Sequence, residues 1–200
     1  MFFLSKISDL IRIDPESFGK STERAVEDEI HARFANKVIH NAGLCVCLYD
    51  IESIGDGMVK HGDGASFVKV VFRMVMFRPF VGEILVGWVS SCTEEGLKVK
   101  MEFFNDIHIP KSLLFDNCVF IPTEQAWVWR IPNDDGTNTD LYIDTNEKIR
   151  FRVEQELFTE QHPKGPTLED GEAAATQNQT PPYAIIGSCQ ADGMGLVSWW

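Results

Sequence analysis

The chain has 200 residues, 44% of them apolar and 24% charged, with a mean hydropathy of -0.11, which excludes the disordered and fibrous classes. Its net charge of -12 repels nucleic acid at long range and argues against tight, sequence-independent DNA binding by the chain alone. It lacks the run of about 18 apolar residues that a membrane-spanning helix needs, so no membrane span is expected.

Residues 2–13, FFLSKISDLIRI, read as a first strand. Asp14-Pro15 then resembles a cap followed by proline at a first helical position, where the missing N–H costs nothing. After Gly19, Val26, Ile30 and Phe34 recur every four residues, with Ala25 beside them and charged residues between, which predicts an amphipathic helix with one buried stripe. Residues 36–43 end it. GLCVCLYDI, residues 43–51, is almost continuously apolar, as expected of a strand covered on both faces. The glycines at 55, 57, 62 and 64 predict tight turns or close backbone approach rather than a regular element. A long strand follows over residues 67–77, and Pro79 marks a domain boundary.

The second half changes character. EILVGWVSSC and GLKVKMEFF read as two strands of a hairpin, joined by Thr93-Glu94-Glu95-Gly96 with glycine where a positive φ is wanted. Further short strands are predicted over residues 106–109, 125–131, 141–144 and 148–158, with a turn over residues 133–136. Many short strands at this spacing point to a small antiparallel barrel. Residues 161–182 hold almost no large apolar side chain and are expected to be a disordered loop. Order should resume at PYAIIGSCQ and continue into GLVSWW.

Charge is unevenly spread: residues 1–80 balance at -1, residues 81–160 at -8 and residues 161–200 at -3. Acidity of this kind serves solubility, and it still permits contact with RNA through a local basic stripe. In residues 148–154 the alternation sends Ile149, Phe151 and Val153 one way and Lys148, Arg150 and Arg152 the other. The first set belongs in a barrel core. The second makes a basic row about 13 Å long, either a solvated face or a contact for the phosphates of single-stranded RNA. Phe103 and Phe104 are candidate stacking neighbours, one of them core because adjacent strand residues face opposite ways.

The five cysteines (Cys45, Cys47, Cys92, Cys118 and Cys189) are odd in number and mostly sit in apolar stretches. That suits reduced thiols in a cytosolic or nuclear protein better than a disulfide framework. Cys45 and Cys47 should share one strand face, and without a second pair or a flanking histidine they read as core thiols rather than metal ligands. The start, MFFLSKISDLIRID, has no basic leader and is not read as a secretory signal. No phosphate-cradling glycine motif and no histidine set for zinc is present, so neither cofactor nor metal is expected.

The strand–helix–strand opening with GLCVCLYDI, the run GDGASFVKVVFRMVMFRPFVGEILVG, and the later IRFRVEQELF, PYAIIGS and GLVSWW together resemble the larger stalk subunit of RNA polymerases. GLCVCLYDI and the terminal GLVSWW resemble the RNA polymerase III member in particular. The resemblance spans nearly the whole chain. It implies an α+β protein of two domains, an N-terminal RNP-like α/β domain over residues 1–79 and a C-terminal OB-fold β-barrel over residues 80–200. It further implies a nuclear, non-catalytic subunit that pairs with a smaller helical subunit, acts in initiation and lies near nascent single-stranded RNA. The turn Gly62-Asp63-Gly64-Ala65 matches the tip that such a subunit sets against the polymerase core. Val68, Val70 and Phe72 are candidates either for an exposed partner interface or for core. Two other classes compete: a free-standing RNA-binding OB module, and a small thiol hydrolase whose cysteine would alkylate fast.

Overall fold

The computed structural model describes residues 1–133, 137–160 and 180–200. They fall into two compact units, Met1–Pro79 and Phe80–Trp200. Among the described residues no helix is long and apolar enough to cross a membrane. The expected loop over 161–182 and the turn over 133–136 lie largely outside the described residues.

In the first unit, β1 (Phe2–Ile13) leads through a 3-10 turn (Pro15–Gly19) into α1 (Thr22–Phe34), then β2 (Val38–Ile39), β3 (Gly43–Val59) and β4 (Ser66–Phe77). The sheet runs in the order β1-β4-β3-β2, with every pairing antiparallel. Pro15 opens the 3-10 turn as its neighbourhood predicts, and Asn36, at φ 57°, helps turn the chain out of α1. The helical stripe works as expected: Ala25, Val26 and Ile30 are buried against Ile11, Ile13, Val68, Val70, Phe72, Met74 and Met76 on one sheet face. Phe34 meets Phe72 edge-on at 5.4 Å between ring centroids.

Three expectations change here. Val68, Val70 and Phe72 are core, because the even-numbered side chains of β4 point under α1, so they form no exposed interface. The strand GLCVCLYDI is covered on both faces only over its first three residues, since this unit has a single helix and the sheet's other face stays open. It also runs on to Val59, straight through Gly55 and Gly57: Gly55 lies in a register irregularity between Ile54 and Gly57, and pairing with β4 resumes at Gly57, opposite Val68. A further bulge falls between Cys45 and Cys47. An extra residue shifts the strand's parity, which leaves Cys45 buried and Cys47 exposed rather than both in the core.

In the second unit the strands are β5 (Ile84–Thr93), β6 (Gly96–Lys100), β7 (Ile107–Pro110), β8 (Cys118–Ile121), β9 (Ala126–Pro132), β10 (Asn138–Ile143), β11 (Lys148–Phe158), β12 (Tyr183–Ser188) and β13 (Gly195–Leu196). The sheet β12-β7-β6-β5-β11 closes on itself through β11–β12, giving a five-stranded barrel with β13 added at β11. One pairing, β7 with β12, is parallel; the others are antiparallel. This is the OB-type two-domain α+β architecture that the sequence resemblance implies. Val89, Leu97, Val99, Ile107, Ile109, Ile149, Phe151, Val153 and Ile185 fill the core, all at 1% exposure or less.

The hairpin between β5 and β6 depends on Gly96, at φ +148°, where a Cβ would stand 2.1 Å from the Ile109 carbonyl oxygen. Not every predicted strand joins the barrel. β9 and β10 form a separate three-stranded sheet with β8, which the sequence reading did not include. The Trp127 indole N–H, donating to the Thr93 carbonyl at 2.9 Å, ties that sheet to β5. The predicted strand GLKVKMEFF stops at Lys100, where the Met101 N–H turns back to the Phe104 carbonyl at 2.6 Å.

Candidate nucleic-acid interface

The outer wall of the barrel is built by period-2 alternation in three neighbouring strands. In β11, Ile149, Phe151 and Val153 point inward and Lys148, Arg150 and Arg152 point outward, as the sequence predicts. Cross-strand register sets Lys148 opposite Trp88, Arg150 opposite Val86 and Arg152 opposite Ile84 on β5. On the far side of β5, Trp88 pairs with Lys100 of β6, and Lys98 lies two residues before it on the same face. The wall therefore carries a cationic lane on β11 beside an apolar lane on β5 (Ile84, Val86 and Trp88). A second, offset cationic lane on β6 meets the apolar lane at Trp88 through Lys100 and runs on with Lys98 opposite Ser91. With strands about 4.8 Å apart, the two rows of cations stand about 10 Å from one another.

Lys98, Lys100, Lys148, Arg150 and Arg152 are thus gathered from sequence positions fifty residues apart, within the most acidic part of the chain. The other basic residues of this unit are Lys111, Arg130 and Lys164. The Lys148 ammonium lies over the Trp88 ring, 5.8 Å from its centroid, a cation–π arrangement. Arg150 donates from Nη1 to the Gly193 carbonyl at 3.3 Å. Arg152 meets Glu154 at 3.5 Å. Among the described residues, Lys98, Lys100, Lys148 and Arg150 make no ion pair, so their charge is available to an anion. His108, paired with Lys98 across β6 and β7, has its pKa lowered by burial and by the Lys98 charge.

Phe103 and Phe104 divide as anticipated, but not through strand alternation, because they lie in the turn after β6. Phe104 is buried, 5.5 Å from the Tyr183 ring centroid, which removes it as a stacking platform. Phe103 is 39% exposed. Sequence reasoning missed Trp88, Val86, Lys98 and Lys100. The signal was present in LKVK and in the alternation of residues 84–88, yet neither string says which strand it will lie beside.

The tip of the first unit lies between β3 and β4. Gly62 and Gly64 adopt φ +88° and +71°, which a side chain would strain. Asp63 accepts from Arg12 Nη2 at 3.0 Å and from Nε at 3.3 Å, a bidentate clamp onto β1 that also lowers the carboxyl pKa. Ala65 is fully buried, so the candidate contact surface shrinks to Gly62, Asp63 and Gly64.

Four of the five cysteines are held away from activation. Burial pushes the thiols of Cys45, Cys92 and Cys118 up to about 11 and that of Cys189 to about 12, opposite in direction to a nucleophilic thiol.

Residues 83–200 match the family model for RNA polymerase III subunit Rpc25. Residues 8–64 match the model for the SHS2 domain found in the N terminus of Rpb7p/Rpc25p/MJ0397. The chain belongs to the Rpc25 family of RNA polymerase III subunits. It is 49% identical over 204 residues to DNA-directed RNA polymerase III subunit rpc8 of Schizosaccharomyces pombe, with all of both chains covered. To subunit RPC8 of Saccharomyces cerevisiae it is 48% identical over 215 residues, again across both whole chains. To subunit RPC8 of Bos taurus it is 42% identical over 204 residues, covering 98% of that protein. The Rpc25 match takes in the whole basic wall, and the SHS2 match reaches as far as the tip at Gly64.

Proposed function

We propose that this protein is a non-catalytic subunit of RNA polymerase III. It pairs with a smaller helical subunit as a stalk, acts in initiation in the nucleus, and guides emerging single-stranded RNA over the outer wall of its barrel. The observation that carries the RNA contact is the gathering of Lys98, Lys100, Lys148, Arg150 and Arg152 around the apolar lane of β5. Cations concentrated on one face hold a phosphate backbone without reading sequence, and an aromatic between them offers any base a stacking surface. The polymerase subunits among its relatives support membership of the complex, and the raised pKa values of Cys45, Cys92, Cys118 and Cys189 speak against a nucleophilic role for those four thiols.

The tip at Gly62, Asp63 and Gly64 is our candidate for the contact with the polymerase core. Its glycines admit close backbone approach, and the Arg12–Asp63 clamp fixes its shape in advance.

Binding of single-stranded RNA by the purified heterodimer tests the RNA reading. Replacing Lys148, Arg150 and Arg152 together by Ser is expected to abolish most binding while leaving assembly intact. Three lost phosphate contacts reduce the log–log salt slope by about 2, from about 0.7 per contact. Unchanged affinity and slope would reduce the row to a solvated face. Purification of the tagged chain from its native cell tests the partner: a stoichiometric small helical polymerase subunit is expected to come with it.

A further inference from the structure

At the upper end of the apolar lane the wall is indented. Trp88, Lys100, Met101, Glu102, Asn105 and Asn146 line a recess of about 450 Å³. We infer that this recess is a nucleobase pocket that prefers guanine. The inference rests on the RNA reading above and adds to it a residue-level specificity.

Four observations lead there. Trp88 is half-buried, yet the Lys148 side chain is the group lying over its ring, so that ring face is covered by a flexible, exposed residue and not by the fold. An incoming base takes that place and releases the ammonium to a neighbouring phosphate. Lys100 lies on the opposite side of Trp88 in register, giving the strand a second cation. The volume suits a single nucleoside.

The fourth observation decides which base. Among the groups lining the recess Glu102 is the exposed carboxylate, set beside Lys100, whereas Glu154 farther along the wall already meets Arg152. A carboxylate repels phosphate and only accepts hydrogen bonds. Guanine alone among the four RNA bases presents two adjacent donors, N1–H and the exocyclic amine, on its Watson–Crick edge, and a carboxylate accepts both. Uracil offers one donor, flanked by two carbonyl oxygens that a carboxylate repels, and cytosine and adenine offer one amine beside a ring nitrogen acceptor. Asn105 and Asn146 supply donors for the O6 and N7 edges.

The experiment uses the heterodimer and four nine-residue RNAs, oligouridine and the same chain with a central guanosine, adenosine or cytidine. The guanosine oligomer is expected to bind about tenfold tighter than oligouridine, the scale of one base stacked on an aromatic and held by paired hydrogen bonds. Glu102→Gln, at an exposed position, is expected to erase that preference, so that the guanosine oligomer binds the variant no more tightly than oligouridine does. Trp88→Phe keeps a ring and retains part of the affinity, whereas Trp88→Leu lowers it for all four oligomers by about fivefold or more. Equal affinity of the unmodified protein for the four oligomers, with the basic triple variant still defective, would overturn the guanine pocket and leave the RNA reading standing. A guanosine preference that survives Glu102→Gln would also overturn it. Absence of binding to any of the four would remove both readings together.

Discussion

The open face of the N-terminal sheet and the outer wall of the barrel use similar side chains in opposite ways. On the sheet, Arg73 and Lys6 are answered by carboxylates of β3, from the adjacent strand β4 and from β1 one strand beyond it. Arg73 of β4 donates from Nε to Asp50 of β3 at 2.7 Å, lies 3.7 Å from Glu52, and stacks 5.2 Å above the Tyr49 ring. Lys6 of β1 meets Glu52 at 2.5 Å. Apolar side chains are exposed on this face as well: Leu4 and Leu10 are 46% and 49% exposed. On the barrel wall a neutral strand holds the two cationic rows about 10 Å apart, which lowers the repulsion between them. Internal neutralisation suits docking of another protein surface. A cationic wall with an apolar lane suits a phosphate backbone and its bases. Charge arrangement, not residue type, separates the two surfaces.

The contrast presupposes that the covered face of the N-terminal sheet is core. Phe72→Ala, beneath α1, is expected to cost about 3–5 kcal/mol, read by chemical denaturation. A variant as stable as the parent would show that β4 presents Phe72 to a partner after all.

Next in size is the electrostatic difference. Replacing Lys98 and Lys100 by Ser is expected to reduce the RNA salt slope by about 1.4, from about 0.7 per phosphate contact. The matched replacement of Lys6 and Arg73 on the other surface should leave that slope unchanged. Equal effects from both pairs would erase the distinction.

Alkylation under native conditions sharpens the view of the bulge in β3. Cys47, exposed by the shifted parity, is expected to react first, followed slowly by Cys45, Cys92, Cys118 and Cys189, whose thiols burial raises to about 11 or about 12. Mass spectrometry of time points reads the order. Labelling of Cys45 at the rate of Cys47 would mean that the bulge is absent.

The smallest effects are pH-dependent and differ between the units. His108 has a folded pKa below its ordinary value of 6.5. The unfolded chain then binds the proton more readily, so this contribution to stability is present above about 6.5 and declines as pH falls below it. Asp50 and Asp63 have folded pKa values below the ordinary 3.8, held there by hydrogen bonds from Arg73 and Arg12. Their contribution is present above 3.8 and is lost only in stronger acid, as pH falls through the lowered values. A melting temperature that declines between pH 7.5 and 5.5, and declines less in His108→Gln, is the expected outcome. An identical decline in that variant would assign the effect elsewhere.

Local periodicity by itself determined much of this protein. The four-residue recurrence of Val26, Ile30 and Phe34 specified α1 and its buried side, because a helix carries such positions on one face. Alternation over residues 148–154 separated Ile149, Phe151 and Val153 from Lys148, Arg150 and Arg152, because a strand turns alternate side chains to opposite faces. Gly96 marked the hairpin because only glycine tolerates its conformation. Long-range pairing decided the rest. The bulge between Cys45 and Cys47 inverted a face that strict alternation had assigned, and nothing in GLCVCLYDI announces an extra residue. The turn after Lys100 cut a predicted strand short and buried Phe104. Closure through the parallel pair of β7 and β12 defined the barrel, and the register between β5, β6 and β11 brought Lys98, Lys100 and Trp88 beside Lys148. A strand's sequence states what each of its faces prefers, but its neighbour is chosen by the packing of the whole sheet, and that choice assembled the basic wall.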